Sequence, residues 1–372
     1  MISVFINKEN CSGCSACHHI CPRNAITMEP DKEGFLYPNI NQDLCIDCKL
    51  CVKVCPLLKV GNAKEMALPR VFAAKHKSDD VRMTCTSGGA FTALSDYILQ
   101  NNGVIYGVDF NDNFYVCHKK AETAQERDRF KISKYVQSDL KDTFADIKNN
   151  LSKGKLVLFT GTPCQAAGLR SFIGHQTYTE NLYVCDVICY GIPSPLIWQE
   201  YLHYLENRFN DKLFSVQFRS KTFEWNRNNS GKNFMFTTNN GKEQHKNDDF
   251  YSLYFSAQTI IRPSCYQCKF TDIQRPSDIT IADYWGIEKY VPDFSDSKGV
   301  SLLLLNSLKG NILFEHVKND FEYIERSANE CLAEQQRLHE PVKLPEKRNQ
   351  FWQDYYSNGF SYVIDHYTHK SK

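Results

Sequence analysis

The 372-residue sequence has almost no net charge. Lysine and arginine together number 44 and aspartate and glutamate 43, which gives a formal net charge of +1. A nucleic-acid-binding surface needs an excess of basic residues, and so does a surface that binds anionic lipid. The balance therefore gives no electrostatic argument for either kind of partner.

The sequence also lacks long apolar runs. The strongest, VSLLLL at 300–305, is far shorter than the ~20 residues of a membrane-spanning helix and predicts a buried strand. The first residues, MISVFINKEN, lack the basic and apolar regions of a secretory signal peptide. We therefore expect a cytoplasmic protein without a membrane span. Its apolar fraction of 42% is enough for a sizeable core.

Cysteine, in contrast, is abundant, with sixteen residues. Without an export signal, this number favours metal or redox chemistry over disulfide bonds. Eight of the cysteines form two motifs with the same spacing, Cys-x2-Cys-x2-Cys-x3-Cys-Pro. The first motif, CSGCSACHHICP, covers residues 11–22, and the second motif, CIDCKLCVKVCP, covers residues 45–56.

The two motifs resemble those of a bacterial two-cluster ferredoxin over about residues 1–60. In such ferredoxins, the fourth cysteine of each motif binds the cluster of the other motif. This rule predicts two 4Fe-4S clusters, one on Cys11, Cys14, Cys17 and Cys55 and one on Cys21, Cys45, Cys48 and Cys51. Two zinc sites, or clusters that only hold the fold, are the alternatives. His18 and His19 are expected at the surface and not as ligands.

The rest of the sequence predicts a second domain. We expect an α+β ferredoxin-like domain over 1–60, a linker over 61–70, an α/β flavin-binding domain with a partly parallel sheet over 71–310, and a helical tail over 311–372. KLVLFTG, PCQAAGLRSFIG and NLYVCDVICYG read as strand, helix and strand. A crossover of this length makes the two strands parallel, so Cys164 and Cys189 follow their carboxyl ends, where open α/β sheets bind ligands.

A third group of cysteines is possible at that edge. RPSCYQCKF contains Cys265 and Cys268, which are spaced like paired metal ligands. With Cys164 and Cys189 they make four thiols, enough for a third cluster or for one zinc ion. Cys117, Cys185 and Cys331 are expected to be small buried apolar residues, and Cys85 is left open.

The segment TSGGAF at 86–91 opens a predicted helix. Its backbone N–H groups could hold a phosphate or pyrophosphate, and its glycines would allow a close approach. The same residues could equally form an ordinary helix cap. The sequence has neither the three-glycine dinucleotide fingerprint nor a Walker loop.

Several stretches taken in order resemble one family, the beta subunits of coenzyme F(420) hydrogenases and dehydrogenases. They are TSGGAF, KYVQSDL, FTGTPCQAAGL, ICYGIPSP, RPSCYQCKF, SDITIADYWG and KGVSLLLLNS, and they span about residues 71–310. Members of that family bind FAD and a cubane cluster and pass electrons between a deazaflavin and other redox centres. The resemblance implies a cluster on the third cysteine group and flavin contacts from Ser87, Gly88, Gly89, Lys134, Ser138, Gly161, Thr162 and Asp283, with Trp285 nearby.

The sequence departs from many relatives at two places, with Tyr190 where His is frequent and Ala282 where Gly is frequent. The resemblance implies an iron–sulfur flavoprotein oxidoreductase of an anaerobic or redox-buffered cell, with a redox coenzyme or an electron-carrier protein as partner and a larger redox complex as a further possibility. No catalytic acid or base is singled out. A non-catalytic electron-transfer subunit and a structural zinc protein are the alternatives. The electron donor, the acceptor and the direction of flow stay open.

Overall fold

A computed structural model of the protein describes residues 4–5, 7–58, 68–174, 177–221, 225, 233–246 and 249–368. Most of the predicted linker over 61–70 lies outside these ranges. The first strand after it begins at Arg70, close to the expected start of the second domain.

The strands and helices follow the chain in this order. The strands are β1 (Ile26–Pro30), β2 (Leu36–Ile40), β3 (Arg70–His76), β4 (Val104–Phe110), β5 (Val116–Ala121), β6 (Val157–Gly161), β7 (Leu182–Val187), β8 (Leu213–Gln217), β9 (Asn233–Thr238), β10 (Lys242–Lys246), β11 (Ile279–Asp283), β12 (Ser301–Leu305) and β13 (Phe321–Arg326). The helices are α1 (Ala16–Ile20), α2 (Leu50–Val54), α3 (Asp79–Met83), α4 (Ala90–Gln100), α5 (Ala124–Asp128), α6 (Thr143–Ser152), α7 (Pro163–Ile173), α8 (Pro195–Phe209), α9 (Asp249–Tyr251), α10 (Ile287–Tyr290), α11 (Leu308–Val317), α12 (Ala328–Glu334), α13 (Arg348–Asn358) and α14 (Phe360–Tyr367).

The N-terminal part of the fold repeats one backbone shape. Each motif begins as a loop, forms a short helix (α1 or α2) and leaves that helix at its fourth cysteine, and the hairpin β1–β2 lies between the motifs. Ser15 and Lys49, at equivalent positions, are both left-handed, with φ of 59° and 60°. Cys21 and Cys55 are both extended, as the proline that follows each of them favours. The motif spacing therefore determines the local backbone twice.

The main sheet has eight strands in the order β13–β3–β12–β11–β7–β6–β4–β5. Strands β4, β6, β7 and β11 are parallel to their neighbours within that group, and the strands outside it pair antiparallel. This arrangement confirms the predicted α/β domain with a partly parallel sheet. The carboxyl ends of β6, β7 and β11 meet at one edge, and that edge positions the candidate site.

The predicted boundary at residue 310 is wrong. Helix α11 spans it, and β13 completes the main sheet beside β3, so the segment is not a purely helical tail. The later helices α13 and α14 also belong to the core, where Phe351 and Val363 pack with Trp198 of α8. The C-terminal residues bury apolar surface in the same core as the middle of the chain, which removes the reason for a separate unit.

The N-terminal repeat is fixed to the rest of the protein. The turn between β1 and β2 carries Glu33, whose carboxylate pairs with the guanidinium of Arg348 on α13. The carbonyl oxygen of Glu33 accepts a hydrogen bond from the hydroxyl of Ser194, 2.5 Å away. Gly34 is left-handed, and a Cβ there would lie 2.5 Å from the Cβ of Leu196. These contacts hold the repeat in one position against α8 and α13.

In the parts of the chain that the structure describes, none of the helices combines the length and the apolar character needed to cross a bilayer.

Candidate redox site

A cavity of about 450 Å3 opens at the carboxyl edge of the parallel strands. It is lined by the ends of β6, β7 and β11, by the segment before α4 and by residues 130–136. Tyr254 and Phe255, from a π-helical turn over Ser252–Ala257, form part of its aromatic wall. Its size and mixed lining suit a drug-sized or cofactor-sized ligand.

Most of the residues predicted to contact a flavin line this one cavity. They are Ser87, Gly89, Lys134, Ser138, Gly161, Thr162 and Asp283. Trp285 and the two departures from the family, Tyr190 and Ala282, line it too. Residues separated by almost 200 positions in the sequence thus share one surface.

Gly88 is the exception. Its N–H donates to the Ser301 hydroxyl at 2.9 Å, and a Cβ at Gly88 would lie 2.5 Å from both the Ala74 oxygen and the Ser301 nitrogen. Gly88 therefore packs against the backbone of β3 and β12 and does not face the cavity. The absence of a side chain at Gly88 allows the loop to pack closely on the sheet. Gly88 is therefore not the ligand contact that was predicted.

Asp283 is already engaged by two side chains. Its carboxylate accepts a hydrogen bond from Trp225 Nε1 at 2.7 Å and pairs with Arg219 Nη1 at 2.9 Å. Arg219 Nη1 also donates to the Tyr135 hydroxyl. The second terminal nitrogen of Arg219, Nη2, is buried without a hydrogen-bond partner among the described residues. Asp283 therefore orients Arg219, and Arg219 presents a cation at the cavity wall.

Two lysines add positive charge at the same place. Burial lowers the pKa of Lys134, a cavity-lining residue, to about 7. Burial also lowers the pKa of Lys221 to about 8, although the nearby Asp283 opposes that shift. The Lys221 ammonium donates to the carbonyl oxygens of Arg82, Ser87 and Lys298, which fixes the loop before α4. An anionic group in the cavity would favour the protonated form of Lys134.

A chain of hydrogen bonds leads from the cavity wall to Cys164. The amide of Gln165 donates to the Ser138 hydroxyl at 2.9 Å, and its oxygen accepts from the Thr162 hydroxyl at 3.1 Å. That hydroxyl lies 3.2 Å from the Cys164 sulfur. At the other end, the Ser138 hydroxyl lies 3.1 Å from Nδ1 of His118, whose pKa burial lowers to about 4. His118 is therefore neutral at pH 7, and this polar chain carries no net charge.

Cys164 and Cys189 follow β6 and β7 as predicted, and the structure brings Cys265 and Cys268 to them. Burial, together with the Cys164 and Cys268 thiols, raises the pKa of Cys189 to about 12. The pKa of Cys265 is raised by burial and then by all three other thiols. The geometry agrees, since a Cβ at Gly191, two residues after Cys189, would lie 3.4 Å from the Cβ of Cys265. Cys189 also lines the cavity, so the third cysteine group borders the candidate ligand site directly.

The two N-terminal motifs enclose two small cavities, and each cavity takes one cysteine from the other motif. One is lined by Cys11, Cys14, Cys17 and Cys55. The other is lined by Cys21, Cys45, Cys48 and Cys51. The structure therefore places the cysteines in the crossed grouping that the sequence predicts. A cubane with four thiolate ligands fits this donor set.

A single zinc ion fits less well. Among the described residues, no three Cys, His, Asp or Glu side chains converge closely enough to hold one metal ion. The cysteines surround a space instead, as they would around a body of several atoms. His19 is not the surface residue that was expected, since its ring packs on Phe144 and Phe172 and burial lowers its pKa to about 4.

The first motif and the third cysteine group meet across α7. Cys164 lies in the first turn of α7, and Gly168 follows one turn later on the same face. A Cβ at Gly168 would lie 2.9 Å from the Cβ and 3.0 Å from the sulfur of Cys14. Burial, together with the Cys11, Cys164 and Cys55 thiols, raises the pKa of Cys14 to about 12. Cys14 is thus adjacent to its own cysteine group and to the third one.

The second motif lies at the surface. Cys48 is exposed, and three large apolar side chains near it are exposed as well, with 44% of Leu44, 60% of Ile46 and 37% of Leu50 accessible. Apolar side chains exposed around a redox-type motif are typical of a surface that meets another protein.

Sequence reasoning missed several residues of the site. Gln165 could have been found, because Thr162 and Gln165 have the spacing of a capping box. The other three, His118, Arg219 and Arg262, carried no sequence signal, since each is a single polar residue in an ordinary segment. The prediction that Cys117, Cys185 and Cys331 are buried is confirmed, and Cys85 is buried beside the Thr92 hydroxyl.

Comparison with known proteins finds two families, each matching a different part of the chain. Residues 154–330 match the family that comprises the C-terminal region of the beta subunits of coenzyme F(420) hydrogenase and dehydrogenase. Residues 10–57 match the 4Fe-4S dicluster domain. These matches confirm the resemblance seen in the sequence and support iron–sulfur clusters with an oxidoreductase-associated role. A search of curated proteins finds no match.

Among solved structures, one similar chain belongs to the xenon-derivatised F(420)-reducing [NiFe] hydrogenase complex from Methanosarcina barkeri. The match covers 81% of this chain and 90% of that chain, with 15% identity and a TM-score of 0.48.

Proposed function

We propose that this chain, which joins a 4Fe-4S dicluster domain to the C-terminal region of the coenzyme F(420) hydrogenase/dehydrogenase beta-subunit family, is an iron–sulfur flavoprotein oxidoreductase. It would bind FAD in the 450 Å3 cavity, a cluster on the third cysteine group and two clusters on the crossed motifs. The observation that carries the proposal is that the cavity and the cysteine groups lie next to one another in an unbroken series. The cavity touches Cys189 of the third group, and Cys14 of the first motif is adjacent to both Cys164 and Cys55.

A flavin exchanges hydride with a two-electron partner and single electrons with iron–sulfur clusters. The chain's own residues would hold and orient these groups. Arg219 and Lys134 provide positive charge for an anionic ligand, and Asp283 fixes the direction of Arg219. Tyr254 and Phe255 supply aromatic surface for a planar ring.

The Thr162 hydroxyl donates its proton to the Gln165 side-chain oxygen, and this hydrogen bond would hold the hydroxyl oxygen 3.2 Å from the Cys164 sulfur. Because His118 stays neutral down to about pH 4, the chain of hydrogen bonds through Gln165 would keep the same charge over the physiological range, whereas Lys134 in the cavity wall has a pKa of about 7 and titrates within that range.

We propose the natural partners only by their chemistry. A deazaflavin coenzyme would have to stack in the cavity near Tyr190 and Ala282, the two positions that depart from the family. The apolar surface around Cys48 supports electron exchange with a separate protein, either a carrier or another subunit of a larger complex. We also propose a cytoplasmic location, because soluble electron-carrier proteins that could serve as the partner are abundant in the cytoplasm.

Anaerobic purification of the full chain tests the proposal. We expect about twelve irons, a matching amount of sulfide and one FAD per chain. Cys189→Ser should remove about four of the irons and leave the remaining eight. Zinc in place of iron, or iron limited to the two N-terminal motifs, would refute the third cluster.

The flavin site is tested separately by filling the cavity. Ala282→Leu adds bulk at the end of β11, and we expect it to lower the ratio of FAD to protein at least tenfold. The ratio of iron to protein in the same sample serves as the internal control and should not change. Gly88→Val is unsuitable for this purpose, because a side chain at Gly88 would meet the sheet backbone and not the ligand.

Donors are compared by mixing the flavin-replete protein with reduced deazaflavin, NADH, NADPH and reduced ferredoxin in turn. Bleaching of the flavin by the deazaflavin alone supports the coenzyme of the family. Bleaching by another donor alone assigns a different partner to the same site. Clusters without bound flavin would favour the non-catalytic electron-transfer subunit.

A further inference from the structure

Arg262 is fully buried between the first motif and the third cysteine group. It directly precedes the 3-10 turn Pro263–Gln267, which carries Cys265. Its Nε donates to the carbonyl oxygen of Cys11 at 2.9 Å, and its Nη2 lies 3.7 Å from the Cys11 sulfur. The guanidinium is therefore held against the first cysteine of the first motif.

The other partners of Arg262 are neutral. Nη1 donates to the Gln137 side-chain oxygen at 3.1 Å, and Nη2 donates to the Leu36 carbonyl oxygen at 3.1 Å. The Tyr37 ring lies 4.1 Å and the Phe35 ring 5.5 Å from the guanidinium carbon. These contacts satisfy the donors and stack on the plane of the group, but they bring no negative charge.

Among the buried arginines that the structure describes, five pair with a carboxylate, and only Arg262 and Arg337 do not. Arg219 pairs with Asp283, Arg275 with Asp186, and Arg348 with Glu33. Arg262 forms no ion pair with any carboxylate in the described ranges. A buried charge without an opposite charge costs several kcal/mol, so a protein that retains one has an anion for it to face.

The first motif is shaped to admit the guanidinium. Gly13 is left-handed with φ +70°, and a Cβ there would lie 2.9 Å from Arg262 Nη1 and 2.5 Å from Gln137 Nε2. The equivalent residue of the second motif is Asp47, which is also left-handed, with φ +51°, but exposed. Both motifs tolerate the backbone conformation, and only the one that meets Arg262 lacks a side chain.

We infer that Arg262 supplies the fixed positive charge for the cluster of the first motif and raises the reduction potential of that cluster above the value that burial alone would give. Reduction adds one electron, and therefore one negative charge, to a cluster that its four thiolates already make anionic. A cation held in the low-dielectric interior stabilises the reduced form more than the oxidised form. Arg262 acts as a charge-compensating and positioning residue for that cluster.

The inference rests on the proposed function, because it requires a cluster on the first motif. Anaerobic full-length protein is therefore first analysed for iron, and its clusters are then titrated potentiometrically with EPR detection. The signal that disappears in Cys55→Ser identifies the cluster of the first motif. Absence of these clusters would reject the proposed function. Clusters whose reduction potentials do not depend on Arg262 would reject only the inference.

Arg262→Gln is compared with Lys49→Gln, which removes the same charge from the exposed second motif. We expect Arg262→Gln to shift the one-electron reduction equilibrium of the first-motif cluster at least tenfold toward the oxidised form, which is about 59 mV. Lys49→Gln should shift the second-motif cluster by a smaller factor, because water screens its charge. Equal shifts in the two variants, or no shift with Arg262→Gln, would overturn the inference.

Arg262→Lys separates the charge from the hydrogen bonds if Arg262→Gln loses iron. A lysine keeps the positive charge but has fewer donors in a different geometry. Retention of the clusters with a potential close to that of the wild type supports the charge as the essential property. Loss of the first-motif cluster in Arg262→Lys as well would show that the hydrogen bonds to Cys11 and Leu36 are what matter, and would overturn the proposed role of the charge.

Discussion

The first and second motifs have the same spacing and the same backbone turns, yet the first is the more buried and the second the more exposed. Cys14 packs on Gly168 of α7, whereas its counterpart Cys48 is exposed. Position for position, His19 packs on two phenylalanines where the second motif has the exposed Lys53. The difference between the motifs is made entirely by the parts of the chain that pack on them.

The comparison separates two kinds of information. The spacing of the cysteines defines what each motif can bind, because it determines where four sulfurs meet. The surroundings define what each bound group can do, because burial and nearby charge change its potential and access to partners. The first motif is therefore suited to exchange electrons within the protein, and the second to exchange them with a partner at the surface.

The largest expected effect comes from the two fourth cysteines, which exchange between the motifs. Cys55→Ser should remove the buried cluster and Cys21→Ser the exposed one, each with a loss of about four irons. EPR spectra and iron content of the purified variants check this. If each serine instead removed the cluster of its own motif, the crossed assignment would be wrong.

The second prediction concerns access. An iron chelator added anaerobically to the full chain should remove the irons of the exposed cluster first and those of the buried cluster on the order of tenfold more slowly, since about 1.4 kcal/mol of opening free energy slows a reaction tenfold. The fast phase should be missing in Cys21→Ser, and the slow phase of the two N-terminal clusters should be missing in Cys55→Ser. A single rate for both clusters would contradict the difference in exposure.

The third prediction compares the left-handed residues of the two motifs. Gly13→Ala should lower the free energy of unfolding by roughly 2–4 kcal/mol, because the left-handed strain adds to the contacts with Arg262 and Gln137. Asp47→Ala changes the same position of the other motif, where the side chain is exposed, and should change it by less than about 1 kcal/mol. Urea denaturation of the two variants measures the difference, and equal losses would show that conformation alone is responsible.

The smallest expected effect is at Gly168, which lies against Cys14 of the first motif. Gly168→Ala improves helix propensity by about 1 kcal/mol but places a Cβ 2.9 Å from Cys14, which costs roughly 1–3 kcal/mol. We expect a net loss of about 1 kcal/mol in urea denaturation and a change in the EPR line shape of the buried cluster only. A change in the exposed cluster would mean that the two motifs are coupled more tightly than their contacts indicate.

Local patterns accounted for much of this architecture. The cysteine spacing, the unit from β6 through α7 to β7, and the helix after TSGG all follow from neighbours a few residues apart. Their hydrophobic periods and capping residues are readable because the interactions that determine them are themselves local.

Contacts between distant segments could not be read in this way. Arg262 and Cys11 are separated by 251 residues, and no pattern in either segment refers to the other. The boundary at residue 310 was misplaced for a similar reason, because β13 finds its partner β3 far back in the sequence. Gly88 was assigned to the ligand because a glycine before a helix has the same appearance whether a phosphate or a neighbouring strand approaches it.

The position of β3 in the sheet has a consequence for biosynthesis. It is the first strand after the N-terminal repeat, yet both of its neighbours, β12 and β13, are translated more than 220 residues later. While the ribosome is still making the middle of the chain, α7 and Arg262 have not yet reached the first motif, so both motifs of the nascent protein are open to the machinery that inserts clusters. Once β12 and β13 enclose β3 and the domain closes, the first motif is the less accessible of the two, and replacing a cluster lost from it requires a larger opening of the protein.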